Sequence, residues 1–100
     1  MKIRAIVKRP DEKYGHMTWI SDTLENLQRI VGGYIEVFPV KEGVLIICNE
    51  EGKLQGLPYN CTVNGEPLVG DIIVVGENGE DFGDLPSDFE MSTWRMIIGK

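Results

Sequence analysis

The sequence predicts an α+β domain, with a mixed, mainly antiparallel sheet of four to six strands, a helix at about 22–32 packed on it, and a C-terminal helix. Two fully apolar runs, at 44–48 and 72–75, are typical of central strands covered on both faces. One further segment has apolar residues at helical spacing between start and stop signals. The length of 100 residues suits a single domain over 1–100.

The N-terminal segment is typical of a β-hairpin. Apolar residues alternate with Arg4 and Lys8 between residues 2 and 9, the period of a strand with one buried face. This alternation places both cations on the solvent face. The polar stretch 10–13 contains a proline and predicts a turn, and a second strand follows over 14–20.

The first helix has clear boundary signals. Asp22 and Glu25 have the spacing of a capping box, in which the Asp22 side chain caps free amides at the helix start. Apolar residues follow at helical spacing up to Val31. The glycine pair at 32–33 supplies the backbone freedom that ends a helix.

A second hairpin is predicted from residues 34–40 and 44–48, joined by a three-residue loop that contains Gly43. The second of these strands has no polar position, so we expect it to lie centrally in the sheet. A turn at 49–52 ends it, and Gly52 suits a positive φ there.

The remaining half of the chain has weaker signals. Asn64-Gly65 predicts a small hairpin over 62–68 within a segment interrupted by glycine and proline. Ser87 and Glu90 repeat the capping-box spacing before a stripe of apolar residues, which favours a helix up to residue 98. A strand over 92–98 is the competing interpretation, because apolar and polar residues also alternate there.

Several classes of chemistry find little support in the composition. The chain has no secretory signal or membrane-spanning stretch and is predicted to be cytoplasmic, with no membrane partner. Cys48 and Cys61 do not have metal-site spacing, and His16 is the single histidine. A Cys–His catalytic pair is therefore disfavoured, and no cofactor or metal is expected.

The charge is distributed unevenly. The formal net charge of −6 lies entirely in residues 51–100 and argues against direct nucleic-acid binding. The stretch between Lys53 and Arg95 contains no Lys or Arg but eight carboxylates. Four of these form the predicted acidic partner surface: Glu77, Glu80, Asp81 and Asp84. Such a surface either keeps the protein soluble or faces a basic protein partner.

Three short motifs carry a resemblance to a known family. These are Val-Gly-Gly-Tyr-Ile-Glu at 31–36, Cys-Asn-Glu-Glu-Gly at 48–52 and Leu-Pro-Tyr-Asn at 57–60. The segment 24–60 resembles an uncharacterised domain-of-unknown-function family of small proteins, found mostly in bacteria, phages and mobile elements. The resemblance implies an accessory protein and no established activity.

The polar residues of these motifs have two interpretations. Asn49, Glu50 and Asn60 are either turn caps that bond the backbone or, with Glu36, parts of one recognition site. The leading functional prediction is a non-enzymatic protein-binding module that uses its acidic C-terminal half. Two alternatives stay open: an inhibitor whose carboxylates mimic DNA phosphates, and a small ligand-binding or enzymatic domain built on these four residues, with His16 as a further candidate.

Overall fold

Within residues 1–99, which the computed structural model describes, the chain forms a six-stranded sheet, a two-stranded sheet and two helices. The elements in chain order are β1 (Lys2–Lys8), β2 (His16–Ser21), α1 (Leu24–Val31), β3 (Ile35–Lys41), β4 (Val44–Asn49), β5 (Tyr59–Val63), β6 (Glu66–Val69), β7 (Ile72–Asn78), β8 (Asp81–Gly83) and α2 (Met91–Ile97). The predicted α+β class and C-terminal helix are confirmed, and the competing strand over 92–98 is wrong.

The main sheet has the order β2-β1-β7-β4-β3, and β8 extends it by pairing with β7. Every pairing within residues 1–99 is antiparallel. The two apolar strands β4 and β7 lie side by side at the centre, as their composition predicts. Both large hairpins are present, although the turn between β3 and β4 holds only Glu42 and Gly43, because β3 reaches Lys41 after a bulge.

Both faces of the main sheet are covered. Helix α1 packs Leu27 and Val31 on one face, against the side chain of Ile47 and its neighbours. The β5–β6 hairpin and α2 cover the other face, where Ile46 contacts a cluster that includes the fully buried Trp94. Alternate residues of the central strands therefore enter two separate cores, which explains why these strands have no polar face.

Helix α1 begins with a different cap from the predicted one. Thr23 is the N-cap, and its hydroxyl accepts a hydrogen bond from the Asn26 amide at 3.2 Å. Asp22 instead pairs with the chain terminus, because its amide donates to the Met1 carbonyl and its carboxylate lies 3.5 Å from the terminal amine. Gly32 ends the helix in the left-handed conformation at φ 81°, as predicted.

The predicted capping box before α2 is also wrong. The N-cap is Glu90, which makes no side-chain capping bond, and the segment containing Ser87 precedes the helix. Arg4 holds this segment instead, since its guanidinium donates to the carbonyls of Leu85 at 3.4 Å and Phe89 at 3.2 Å. The carbonyls of Leu85 and Phe89 are therefore satisfied from β1, while the Pro86 carbonyl accepts from the Phe89 amide at 2.8 Å.

The glycine of the turn after β4 has a steric rather than a conformational role. The expected positive φ at Gly52 is not found. A Cβ at this position would lie 2.9 Å from Cγ2 of Val69, which is closer than side chains pack. Gly52 therefore allows the turn to contact the end of β6.

Candidate functional site

A groove of about 490 Å³ lies between the main sheet and the β5–β6 hairpin. This volume falls within the range of about 300–1,000 Å³ that is typical of ligand pockets. Its apolar lining includes Phe38, Val63 and Leu68, and its carboxylates are Glu36, Glu50 and Glu66. The groove therefore combines an apolar floor with negative charge.

The β3–β4 register places Glu36 and Glu50 on the same face. Glu36 lies opposite Cys48, and the Glu50 amide donates to the Tyr34 carbonyl at 2.8 Å, which continues the ladder by one step. Residues two apart on a strand point to the same side, so both carboxylates face the groove. Both residues are exposed. The hairpin predicted from the sequence already implies that Glu36 and Glu50 lie on the same face.

Asn49 borders the groove, but its side chain bonds the protein itself. The residue is 5% exposed, and its amide nitrogen donates to the Val31 carbonyl at 3.1 Å. Its Oδ1 accepts from the Glu51 amide at 2.8 Å. Asn49 thus joins the end of α1 to the turn after β4, which is the turn-cap interpretation of this residue.

Asn60 lies outside the groove and pairs with Lys8 in the core. The Asn60 amide nitrogen donates to the carbonyls of Lys8 at 2.9 Å and Gly70 at 2.7 Å. Its Oδ1 accepts from Lys8 Nζ at 2.7 Å, and Nζ also donates to the Arg9 carbonyl at 3.3 Å. Lys8 is 1% exposed, so its predicted solvent position is wrong. The hairpin that packs over β1 buries this side chain and supplies its partner.

Two contacts connect the walls of the groove. The Asn64 side chain, in the β5–β6 turn, donates to the Val40 carbonyl of β3 at 3.0 Å. Lys53, in the loop after β4, forms a salt bridge of 2.7 Å with Glu66 at the start of β6. Sequence reasoning missed Lys53, Glu66 and the apolar floor as site residues, because no local pattern shows that this hairpin packs beside β3.

Cys48 lines the groove with a protonated thiol. Burial raises the pKa of this thiol from 9.0 to about 11, and the charge on Glu36 adds to the effect. His16 lies on β2, three strand positions from β4 in the sheet, which is about 14 Å at ordinary strand spacing. Its imidazole lies 3.5 Å from the Glu12 carboxylate instead. The structure therefore does not bring a thiol and an imidazole together.

We expect both cysteines to react slowly with a disulfide reagent such as DTNB while the protein is folded. A pKa of about 11 leaves roughly 100-fold less thiolate at neutral pH than a pKa of 9.0 does. Burial also raises the pKa of Cys61. The rate of reaction with DTNB should increase when the protein is unfolded in urea. In the folded protein the rate should rise with pH. A rapidly reacting thiol in the native state at pH 7 would contradict this expectation.

The four residues of the predicted acidic partner surface lie on the β7–β8 hairpin and just after it. Glu77, Glu80 and Asp81 are exposed on the β7–β8 hairpin. Asp84, after β8, is also exposed, and its carboxylate accepts a hydrogen bond from the Arg4 amide at 2.8 Å. A second concavity, of about 400 Å³, lies between this hairpin and the start of α1 and includes Glu80 and Asp81.

Two other kinds of feature are absent from residues 1–99. Among residues 1–99, no three His, Cys, Asp or Glu side chains gather closely enough to hold a metal ion. No helix in that range is both long enough and apolar enough to span a membrane.

The fold and the groove define a small α+β domain with an acidic, apolar-floored groove between its two sheets. The chain belongs to the family described as Domain of unknown function (DUF3846), whose profile matches residues 1–97. The resemblance to a domain-of-unknown-function family is thereby confirmed. No curated protein and no solved structure matches the chain.

Proposed function

We propose that this protein is a non-enzymatic binding module whose groove accepts a cationic side chain and an adjoining apolar residue of a protein partner. The observation that carries this proposal is the position of Glu36 and Glu50. Both are exposed beside an apolar floor, and neither forms a salt bridge within residues 1–99.

The chemistry of the groove supports a ligand with two parts. Apolar ligand atoms that enter the groove are removed from water. This burial contributes about 25 cal/mol to the binding free energy for each Å² of apolar surface. A cation beside them is attracted by the carboxylates and is steered toward the groove as it approaches. An arginine or lysine next to a leucine-like residue supplies both parts in one short segment.

Within residues 1–99, the thiol and the imidazole are not placed for nucleophilic catalysis at the groove, which supports binding. The thiol of Cys48 has a pKa of about 11 and is protonated at neutral pH. The single histidine lies on a distant strand. Within the groove, Asn49 is engaged by Val31 and Glu51, so its amide is occupied by the fold.

Peptide titration by NMR tests the proposal. We expect acetyl-Leu-Arg-Leu-amide to shift the backbone amide signals of β3, β4 and β6, which line the groove. The double variant Glu36→Gln/Glu50→Gln should weaken binding by about tenfold, equivalent to about 1.4 kcal/mol, because both free carboxylates are lost. The matched peptide with Gln in place of Arg should bind less tightly to the wild-type protein.

The matched control removes two charges elsewhere. Glu80→Gln/Asp81→Asn lowers the net negative charge by the same amount at the β7–β8 hairpin. Binding to this variant should stay within about twofold of wild type if the groove is the site. Equal losses in both double variants would show that attraction is non-specific and would contradict the proposal.

The β7–β8 hairpin is the second candidate surface. Its exposed carboxylates lie beside the 400 Å³ concavity, and they belong to the acidic half of the chain. A loss of binding only in Glu80→Gln/Asp81→Asn would favour this surface, for a basic protein partner. The DNA-mimic inhibitor and the bacterial or phage accessory role stay predictions.

A further inference from the structure

We infer that Lys53 is an internal competitor for the cation that the groove binds, and that it makes the groove selective for arginine over lysine. This inference rests on the proposed function and identifies the cationic residue of the partner as arginine. It starts from the Lys53–Glu66 salt bridge, which spans the groove from the loop after β4 to the start of β6.

The Lys53 ammonium occupies the negative field of the groove. Its hydrogen bond to Glu66 raises the pKa of Lys53, and the charges on Glu66 and Glu36 raise it further. The ammonium therefore interacts with carboxylates that line the groove in two different elements, β6 and β3. A ligand cation drawn to Glu36 would enter the same field, and the Lys53 ammonium would repel it unless the bridge to Glu66 opens.

Exchange of Lys53 by a ligand is physically easy. The two side chains of the bridge are 60% and 53% exposed, and exposed ion pairs contribute little to stability. Within residues 1–99, Lys53 forms a salt bridge with Glu66 and with no other carboxylate. When this bridge breaks, the long and flexible Lys53 side chain can move into solvent. The walls of the groove are held independently by the bond between Asn64 and Val40.

Competition by an ammonium disfavours a ligand that offers only another ammonium. A lysine of the partner brings a second ammonium beside Lys53, and if it takes the place of Lys53 at Glu66 it gains little. An arginine presents a planar guanidinium that can bond a carboxylate with two parallel N–H groups, which an ammonium cannot do. Its remaining N–H groups stay available for a second carboxylate, and Glu36 and Glu50 line the same groove.

The test compares two peptides on two variants. Wild-type protein should bind acetyl-Leu-Arg-Leu-amide more tightly than acetyl-Leu-Lys-Leu-amide. Lys53→Gln should bind the arginine peptide about threefold more tightly than wild type does. Its affinity for the lysine peptide should rise by a larger factor, so that the preference for arginine over lysine becomes smaller. Lys2→Gln is the control, since Lys2 is an exposed lysine on β1 and its loss changes the net charge equally.

Each outcome separates the inference from the proposed function. Binding that is lost in Glu36→Gln/Glu50→Gln but is unchanged or weaker in Lys53→Gln overturns the inference alone. Equal gains in Lys53→Gln and Lys2→Gln also overturn it, because they reflect net charge only. If no variant binds either peptide, both the inference and the proposed function fail.

Discussion

Replacing Asn60 with alanine should lower the free energy of unfolding by about 3 kcal/mol. The change removes the Oδ1 atom that accepts from Lys8 Nζ at 2.7 Å. It also removes the amide that donates to the carbonyls of Lys8 and Gly70. One substitution therefore leaves a buried ammonium short of an acceptor and two backbone carbonyls without this donor.

The size of this effect comes from the burial of a cation among neutral partners. No carboxylate pairs with Lys8 within residues 1–99, and its ammonium bonds only to oxygens of Arg9 and Asn60. A buried charge is tolerated when its hydrogen bonds are complete, and it is costly when one of them is lost. Alanine at residue 60 leaves the charge in place and removes its shortest bond.

Urea denaturation at pH 7 measures this change. Asn78→Ala is the control, because Asn78 is exposed at the end of β7 and its replacement should change stability by less than about 0.5 kcal/mol. Lys8→Met/Asn60→Leu should recover part of the loss, since it removes the charge together with its partner. An Asn60→Ala protein as stable as Asn78→Ala would contradict the role of the pair.

Asn60 also separates the two interpretations of the motif residues. If Asn60 acts only through the fold, Asn60→Ala should still bind the arginine peptide at a temperature where it stays folded. Loss of binding by a folded Asn60→Ala protein would instead place Asn60 in the recognition site. The structure favours the first result, because the oxygen and the nitrogen of the Asn60 side chain both form hydrogen bonds with buried groups of the protein.

The parts of the fold that were predictable depend on contacts between neighbouring segments. The apolar runs 44–48 and 72–75 identify the central strands, because a residue covered on either face must be apolar. The β3–β4 hairpin follows from its turn, and its register then brings Glu36 and Glu50 to one face. That part of the candidate site was within reach of sequence reasoning.

The remaining parts depend on packing between segments far apart in the chain. Lys8 alternates correctly for an outward position, yet the hairpin that contains Asn60 packs over it and buries it. The Lys53–Glu66 bridge requires that same hairpin to lie beside β4. Local periodicity records which side of a strand a residue occupies, and the second layer decides whether that side meets water.

Gly76→Ala should destabilise the protein by more than about 3 kcal/mol, with loss of the folded state as the expected limit. A Cβ at Gly76 would overlap the carbonyl oxygen of Asp84 and lie 2.7 Å from its carbonyl carbon and 3.2 Å from the Leu85 nitrogen. These are backbone atoms, so no side-chain rotation relieves the contact. The chain after β8 must therefore move away from β7.

That movement would break the contacts by which β1 holds the segment before α2. The Leu85 amide donates to the Arg4 carbonyl at 2.9 Å, and Asp84 accepts from the Arg4 amide at 2.8 Å. Both bonds require the crossing over β7 that a glycine at residue 76 permits. Leu85 and Phe89 would leave the core with this segment, which adds the loss of apolar burial to the loss of hydrogen bonds.

Thermal unfolding followed by circular dichroism distinguishes this steric effect from the general cost of replacing glycine. Gly79→Ala is the matched control, because Gly79 has a positive φ of 65° but no atom within 4 Å of its added Cβ. It should lose only about 1 kcal/mol, through backbone strain. If Gly76→Ala loses no more than this, the chain at Asp84–Leu85 can shift to make room for the added Cβ, which would contradict the expected effect. A far larger loss at Gly76 means that close packing at one glycine fixes the path of the chain after β8.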